Sequence, residues 1–253
     1  MVWKAAELKK LIRSVLSKFG LTLVQTKNIP YLSNCDALDP FFSALKGFGF
    51  APKHILDVGA NRGNWTRTAL KYFPNARFTL VEPQAGLKNH IQDLVESGFD
   101  IQWINAGASD TSGSMPLNIS GRDDASTFVL SGPEGESTGS RRITVDVKTL
   151  NAIVSGNAVP EMVKIDTEGL DLKVLAGASN LLGKTDIFLV EAMVCGTYEN
   201  SVAEVIKFMS AAGYRLIDIT EPNRTPKHGV LWLCELAFLR NGSTLLGAMT
   251  SYE

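Results

Sequence analysis

The sequence predicts an α/β fold: a mostly parallel sheet with helices on both faces, preceded by an N-terminal helical extension. Three observations carry this. From His54 onward short apolar runs alternate with helical patterns, the βαβαβ order of a parallel sheet. Glycine-containing turns follow two of the strand ends, and no repeat with a 20–50-residue period breaks the order. With 253 residues, 45% of them hydrophobic, the chain is long enough to bury a real core and too apolar to be disordered.

Residues 1–50 read as the extension. Leu8, Leu11, Ile12, Val15, Leu16 and Phe19 recur at helical spacing, interleaved with Lys4, Lys9, Lys10, Arg13 and Lys18. Those charges break a signal-peptide core. Such a helix either packs on its own domain with a solvated basic face or touches an anionic membrane surface as a peripheral contact. Residues 20–50, with Pro30, Pro40, Phe41, Phe42, Phe48 and Phe50, are expected to close over the next unit.

Residues 51–253 read as the main domain. Ile55–Val58 is a short buried strand, 64–73 a helix and Ala76–Val81 the second strand. Leu87, Ile91, Leu94 and Val95 mark the buried face of another helix, and Ile101–Ile104 is a third strand. Met115–Ile119 and Arg142–Val147 form a strand pair around a Ser-, Gly- and acid-rich insertion at about 119–141. That insertion is too long for an ordinary connection and reads as a lid. Strands at Met162–Ile165 and Ile187–Val190 follow, with helices at 169–178 and 201–212, the latter carrying Val202, Val205, Ile206 and Met209. Two late strands, Tyr214–Ile219 and Val230–Leu239, complete the domain.

Composition narrows the function. A net charge of −1 argues against duplex binding, which depends on clustered Lys and Arg. No stretch approaches about 20 uninterrupted apolar residues, so no transmembrane segment is expected. Cys35, Cys195 and Cys234 are widely spaced and form no CxxC pair. They fit a reducing, cytoplasmic compartment and neither a disulfide framework nor a zinc knuckle.

The strongest local signal is Asp57-Val58-Gly59-Ala60-Asn61-Arg62-Gly63 at a strand-to-helix turn. Glycines there permit a tight turn and a close approach of a ligand to the backbone. Glu82 ends the second strand, spaced suitably to hold the two hydroxyls of a ribose. A dinucleotide fingerprint would need glycine where Asn61 stands, and Asp57 would repel a pyrophosphate. A nucleoside cofactor without phosphates and with a positive centre fits better, which describes S-adenosylmethionine.

A second signal is Lys164-Ile165-Asp166-Thr167-Glu168-Gly169, at the end of a core strand. Glu168 can serve partly as a helix N-terminal anion. Asp166 can accept a proton, orient a hydroxyl or bind a cation, and Glu191 ends the next strand at the same sheet edge. Asp166 and Glu191 are thus the candidate ligands if Mg²⁺ takes part. His228, in the turn-rich stretch 223–229, is a further candidate base, whereas His54 and His90 read as structural. Trp65, Phe128 and Tyr198 can stack on a sugar ring or serve as ordinary packing.

DVGANRG, VEP, KIDTEGLDLKVLAGA and LVEA together resemble the FkbM-type S-adenosylmethionine-dependent methyltransferases, from about His54 to Arg240. Val145–Leu150 is similar to that family's strand before a short helix, and Ala125-Ser126-Thr127 to its serine-containing loop. Two positions depart from the family pattern, Asn151 and Glu235, where the family usually has aspartate. The resemblance implies a seven-stranded Rossmann-like methyltransferase fold and methyl transfer to a hydroxyl of a sugar, glycolipid or secondary metabolite. It also implies that Asp57, Gly59, Asn61 and Gly63 hold the amino acid end of the cofactor, that Glu82 holds the ribose, and that Asn105 and Ala106 lie beside the adenine. Asp166, Glu168, Glu191 and His228 are the candidates to assist the acceptor hydroxyl. The alternatives are a non-catalytic binding or scaffold protein of the same fold and an NAD-linked oxidoreductase, which Asn61 disfavours.

Overall fold

Five parallel strands form the centre of the molecule, and two antiparallel strands extend it at one edge. The computed structural model describes residues 37–119, 128, 141–195, 199–225 and 227–249. The helix expected from the basic N-terminal pattern, Ala125–Thr127, Tyr198 and, Phe128 apart, the insertion between Ile119 and Arg141 lie outside these residues.

In chain order the elements are α1 (Leu38–Gly47), β1 (His54–Val58), α2 (Asn64–Tyr72) and β2 (Arg77–Val81), then a 3₁₀ turn (Ala85–Ile91) running into α3 (Gln92–Glu96). There follow β3 (Ile101–Ile104), β4 (Gly107–Ala108), β5 (Gly113–Ile119), β6 (Arg141–Lys148), α4 (Leu150–Ile153), β7 (Met162–Ile165) and α5 (Asp171–Ala176). The last are β8 (Ile187–Met193), α6 (Val202–Ala211), β9 (Tyr214–Arg224), β10 (Leu231–Arg240) and α7 (Leu246–Met249).

The main sheet has the order β3-β2-β1-β7-β8-β10-β9. β10 lies antiparallel between β8 and β9; the other pairings are parallel. The predicted strand pair, β5 and β6, forms a separate three-stranded sheet with β4. The chain winds outward from β1 to β3 on one side and from β7 to β8 on the other. β1 and β7 are therefore the switch point, where α/β sheets open a crevice beyond the strand ends.

Central strands need apolar residues on both faces. Leu56, Val58, Val163, Ile165, Phe188 and Val190 pack on one side with Val174, Val205 and Met209 from α5 and α6. Ile55, Phe78, Leu80, Met162 and Leu189 pack on the other with Phe42, Trp65 and Ala69 from α1 and α2. Phe42 meets Trp65 and Phe73 edge-on, at centroid distances of 5.3 and 5.6 Å, which fastens α1 over α2. Phe48, grouped with these aromatics by its place in the sequence, is exposed instead.

The helix expected around Leu87–Val95 is shorter than its periodicity suggests. It begins as the 3₁₀ turn, buries Leu87, Ile91 and Leu94, and leaves Val95 exposed. Among the described residues no helix is long and apolar enough to cross a membrane.

Candidate functional site

The two motif turns leave the sheet side by side. Asp57 on β1 is in register with Lys164 on β7, so Asp166 lies two residues farther out at the strand ends. Gly59 N–H and Ala60 N–H both donate to the Val81 carbonyl, and Asp166 N–H donates to Val58. Gly59 has φ 78°, and a Cβ placed there would lie 1.7 Å from the Asp166 carbonyl oxygen. Only glycine permits that approach.

Asp57 lines neither of the two clefts that open beside these turns. It is fully buried; its Oδ2 accepts from Thr66 Oγ1 at 2.5 Å and its Oδ1 pairs with Lys164 Nζ at 3.8 Å. Burial raises its pKa, against the opposing pull of Lys164 and Thr66. Gly63 caps α2 with φ 75° and also lines neither cleft.

Glu82 is held from below. Its Oε2 accepts from Asn61 N–H at 3.0 Å and its Oε1 from Gln84 N–H at 2.9 Å. Burial raises its pKa while those two backbone donors oppose the rise. Asn105 is exposed and donates to the Glu82 and Pro83 carbonyls at 3.0 and 2.9 Å, tying the ends of β2 and β3 together.

A cleft opens between these turns. Val58, Val81, Pro83, Ala106, Ala108, Leu117 and Phe128 form a narrow apolar slot, with Glu82, Asn61, Gly59, Asp166 and Glu168 along its polar side. Phe128 closes over Gly107, where a Cβ would lie 2.6 Å from its ring. An apolar slot of this kind can take a flat ring, and the buried Glu82 carboxylate beside it can accept hydrogen bonds from hydroxyls.

A second, larger cleft shares Gly59, Asn61 and Asp166 with the first. Lys164, Arg62, Asn64, Trp65, Thr68, Leu38 and Glu221 complete its walls. Asp166, whose side chain is 33% exposed, therefore borders both clefts.

The other predicted bases are placed differently. Glu168 borders the first cleft with a left-handed φ of 52°, an uncommon conformation for a residue with a Cβ. Glu191 is half-buried and does not end its strand as the sequence suggests, because pairing with β10 carries β8 two residues farther, to Met193. Burial and then the carboxylates of Asp166, Asp171 and Glu168 raise its pKa well above the usual range. His228 is exposed in the turn between β9 and β10 and lines neither cleft.

Three residues outside the predicted set organise the site. Lys164 is buried; burial alone would lower its pKa, but Asp166, Asp57 and Glu235 raise it. Asp171 is fully buried and clamps its own turn, accepting from Thr167 N–H at 2.9 Å, Thr167 Oγ1 at 3.1 Å, Gly169 N–H at 3.3 Å and Asn200 Nδ2 at 2.8 Å. Burial and the nearby Asp166 push it up to about 6. Glu235, paired with Glu191 across β8 and β10, is buried and accepts from Thr220 Oγ1 at 2.5 Å; burial pushes it up to about 8. Asn151, the other departure from the family pattern, is a tether: it accepts from Asn180 N–H and donates to Ser179 Oγ.

A family model described as "Methyltransferase FkbM domain" matches residues 57–216. No curated protein matches the chain. Similar solved structures include magnesium protoporphyrin IX methyltransferase from Synechocystis PCC 6803 with bound SAM. It is 10% identical, with a TM-score of 0.48 over 95% of this chain and 98% of that one. Precorrin-6y C5,15-methyltransferase from Geobacter metallireducens GS-15 is 13% identical, with a TM-score of 0.46 over 80% and 87%. 1,6-Didemethyltoxoflavin-N1-methyltransferase from Burkholderia thailandensis is 14% identical, with a TM-score of 0.43 over 95% and 92%.

Proposed function

The chain belongs to the FkbM methyltransferase family, and from that premise we propose that it is an O-methyltransferase acting on a hydroxyl of a sugar, glycolipid or secondary metabolite. One observation carries the reading: Asp166 stands between an adenosine-shaped slot and a second, polar cleft large enough for an acceptor. S-adenosylmethionine, when bound, supplies a methyl group already activated by a positively charged sulfur.

Two requirements then fall on the protein. It holds donor and acceptor in line, with the reacting atoms about 3–3.5 Å apart. It also relieves the acceptor hydroxyl of its proton, because a sugar hydroxyl is a weak nucleophile at neutral pH. In this reading Glu82 accepts the ribose hydroxyls, and Ala106 and Phe128 flank the base. Gly59 and Asn61 line the path of the amino acid tail, while Asp57, Gly63 and Asn105 hold those residues in place. Asp166 takes the proton. Glu168 lines the same cleft, and Glu191, whose pKa burial and the neighbouring carboxylates raise, is the nearby group most inclined to hold a proton. His228 lies on the hairpin between β9 and β10 and would reach only an extended acceptor.

The test is a pair of measurements. Isothermal titration should show S-adenosylmethionine binding to the wild type, weakened at least tenfold in Glu82→Ala. Asp166→Asn should keep that binding within about threefold and lose about 100-fold or more in turnover. Comparing glycans and metabolites of a deletion strain by mass, for a lost methyl increment, identifies the acceptor. A wild type that binds no S-adenosylmethionine would overturn the reading.

A further inference from the structure

Lys164 is a charge on the central strand of a parallel sheet, where a lysine is almost never found without partners. Its partners come from both motif turns. Nζ lies 2.9 Å from Asp166 Oδ2, 3.8 Å from Asp57 Oδ1 and 3.4 Å from the Gly59 carbonyl oxygen. Two of these are hydrogen bonds, to Asp166 and Gly59, and the contact with Asp57 is an ion pair at longer range.

A buried ion pair is seldom the most stable way to fill a core, because desolvation offsets much of the attraction. A lysine serving only to fill space could be replaced by an apolar residue without loss. Lys164 also borders the second cleft, so its charge acts where the acceptor would enter. Oxygens of two carboxylates and a carbonyl make a hard-cation environment, the kind in which Mg²⁺ or Ca²⁺ is held. Here the ammonium already fills it. Among the described residues, no group of three or more His, Cys, Asp or Glu side chains is arranged to hold a metal ion.

We propose that Lys164 is the built-in cation of this site, a positioning residue whose ammonium holds the Gly59 turn and the Asp166 carboxylate where a divalent ion would otherwise be needed. The donor-binding readout below rests on the methyltransferase reading; the metal readout does not.

Two measurements on the full chain test it. Wild-type protein titrated with Mn²⁺ and followed by electron paramagnetic resonance should show no site that Asp166→Asn removes. Lys164→Ala should bind S-adenosylmethionine about tenfold more weakly, since a buried carboxylate loses its partner. Propylammonium should restore at least threefold of that loss, and propanol, the same size without charge, should not. A wild-type Mn²⁺ site abolished by Asp166→Asn would overturn the proposal, as would equal rescue by both compounds. If Lys164→Ala does not fold, the Mn²⁺ titration of the wild type still decides. A wild type that binds no S-adenosylmethionine defeats the methyltransferase reading and leaves the Mn²⁺ titration standing.

Discussion

The turn after β1 and the turn after β7 are built alike and used differently. Each follows a strand-end aspartate, and each contains a residue with a side chain at positive φ: Asn61 at 47° and Glu168 at 52°. Yet Asp57 is fully buried, while Asp166 is a third exposed and borders both clefts. The difference is register. Asp57 is level with Lys164, so Asp166 projects two residues beyond it, past the edge of the core. A carboxylate that far in can only organise its neighbours; one that far out can meet a ligand. Lys164 joins the two by pairing with both.

The largest predicted effect breaks the contact between the turns. Gly59→Ala would place a methyl 1.7 Å from the Asp166 carbonyl and force a left-handed conformation on alanine. A loss of more than about 3 kcal/mol is expected in urea denaturation, or no folded protein. Gly63→Ala meets side chains and no backbone, Ile91 Cγ2 at 2.8 Å and Leu94 Cδ1 at 3.9 Å, and should cost about 1–2 kcal/mol, chiefly from its φ of 75°. Equal losses at the two positions would mean that the first turn is not locked to the second.

The next effect separates how each turn is held. The first turn is held by two backbone donors to Val81, which no side-chain substitution removes, and also by Glu82 and Lys164. The second depends on Asp171. Asp171→Ala would leave buried Thr167 N–H and Asn200 Nδ2 unpaired, costing about 2–4 kcal/mol. Asp171→Asn, which keeps an acceptor, should lose less. S-adenosylmethionine affinity should fall more than the stability loss alone explains if this turn shapes the cleft.

This contrast also marks what sequence reasoning could reach. Glu82 and Asp166 were legible because a charged residue at the end of an apolar run must sit at the sheet edge. The parallel centre of the main sheet followed in outline from the alternation, but not the antiparallel insertion of β10, which is decided by long-range pairing. Lys164 stands inside the KIDTEG motif, yet nothing local reveals what it does, because its partners Asp57 and Gly59 are more than 100 residues away. Asp171 has no sequence signal beyond an acidic residue in the first turn of a helix, because its hydrogen bonds run backward to Thr167 and Gly169. The two-residue strand β4 has no periodicity to read at all.

A smaller effect comes from Glu235, which lies beyond both turns but acts on Lys164. Its carboxyl, near 4.5 in the unfolded chain, is pushed up to about 8 by burial. The folded state therefore binds more protons than the unfolded one between these values. Stability should fall as pH rises from about 4.5 to about 8 and level off above that. Glu235→Gln keeps an acceptor for Thr220 and removes the titration. It should flatten that slope and stabilise the protein at about pH 8 by about 1–3 kcal/mol, as read from urea midpoints across the range. A variant with the wild-type slope would place the titration elsewhere, with Glu191 the first group to examine.

The smallest effect returns to the two strained residues. Left-handed backbone costs an ordinary side chain about 1–2 kcal/mol, and asparagine less, because its short amide tolerates that region. Glycine removes the strain but adds about 0.5–1 kcal/mol of unfolded-state entropy. Glu168→Gly should therefore stabilise the protein by up to about 1 kcal/mol, while Asn61→Gly should leave it nearly unchanged. If Glu168→Gly destabilises instead, the Glu168 side chain contributes more to the second turn than its strain costs, and the two turns differ in one more respect. A loss of turnover together with a gain in stability would show that the strained conformation serves the reaction and not the fold.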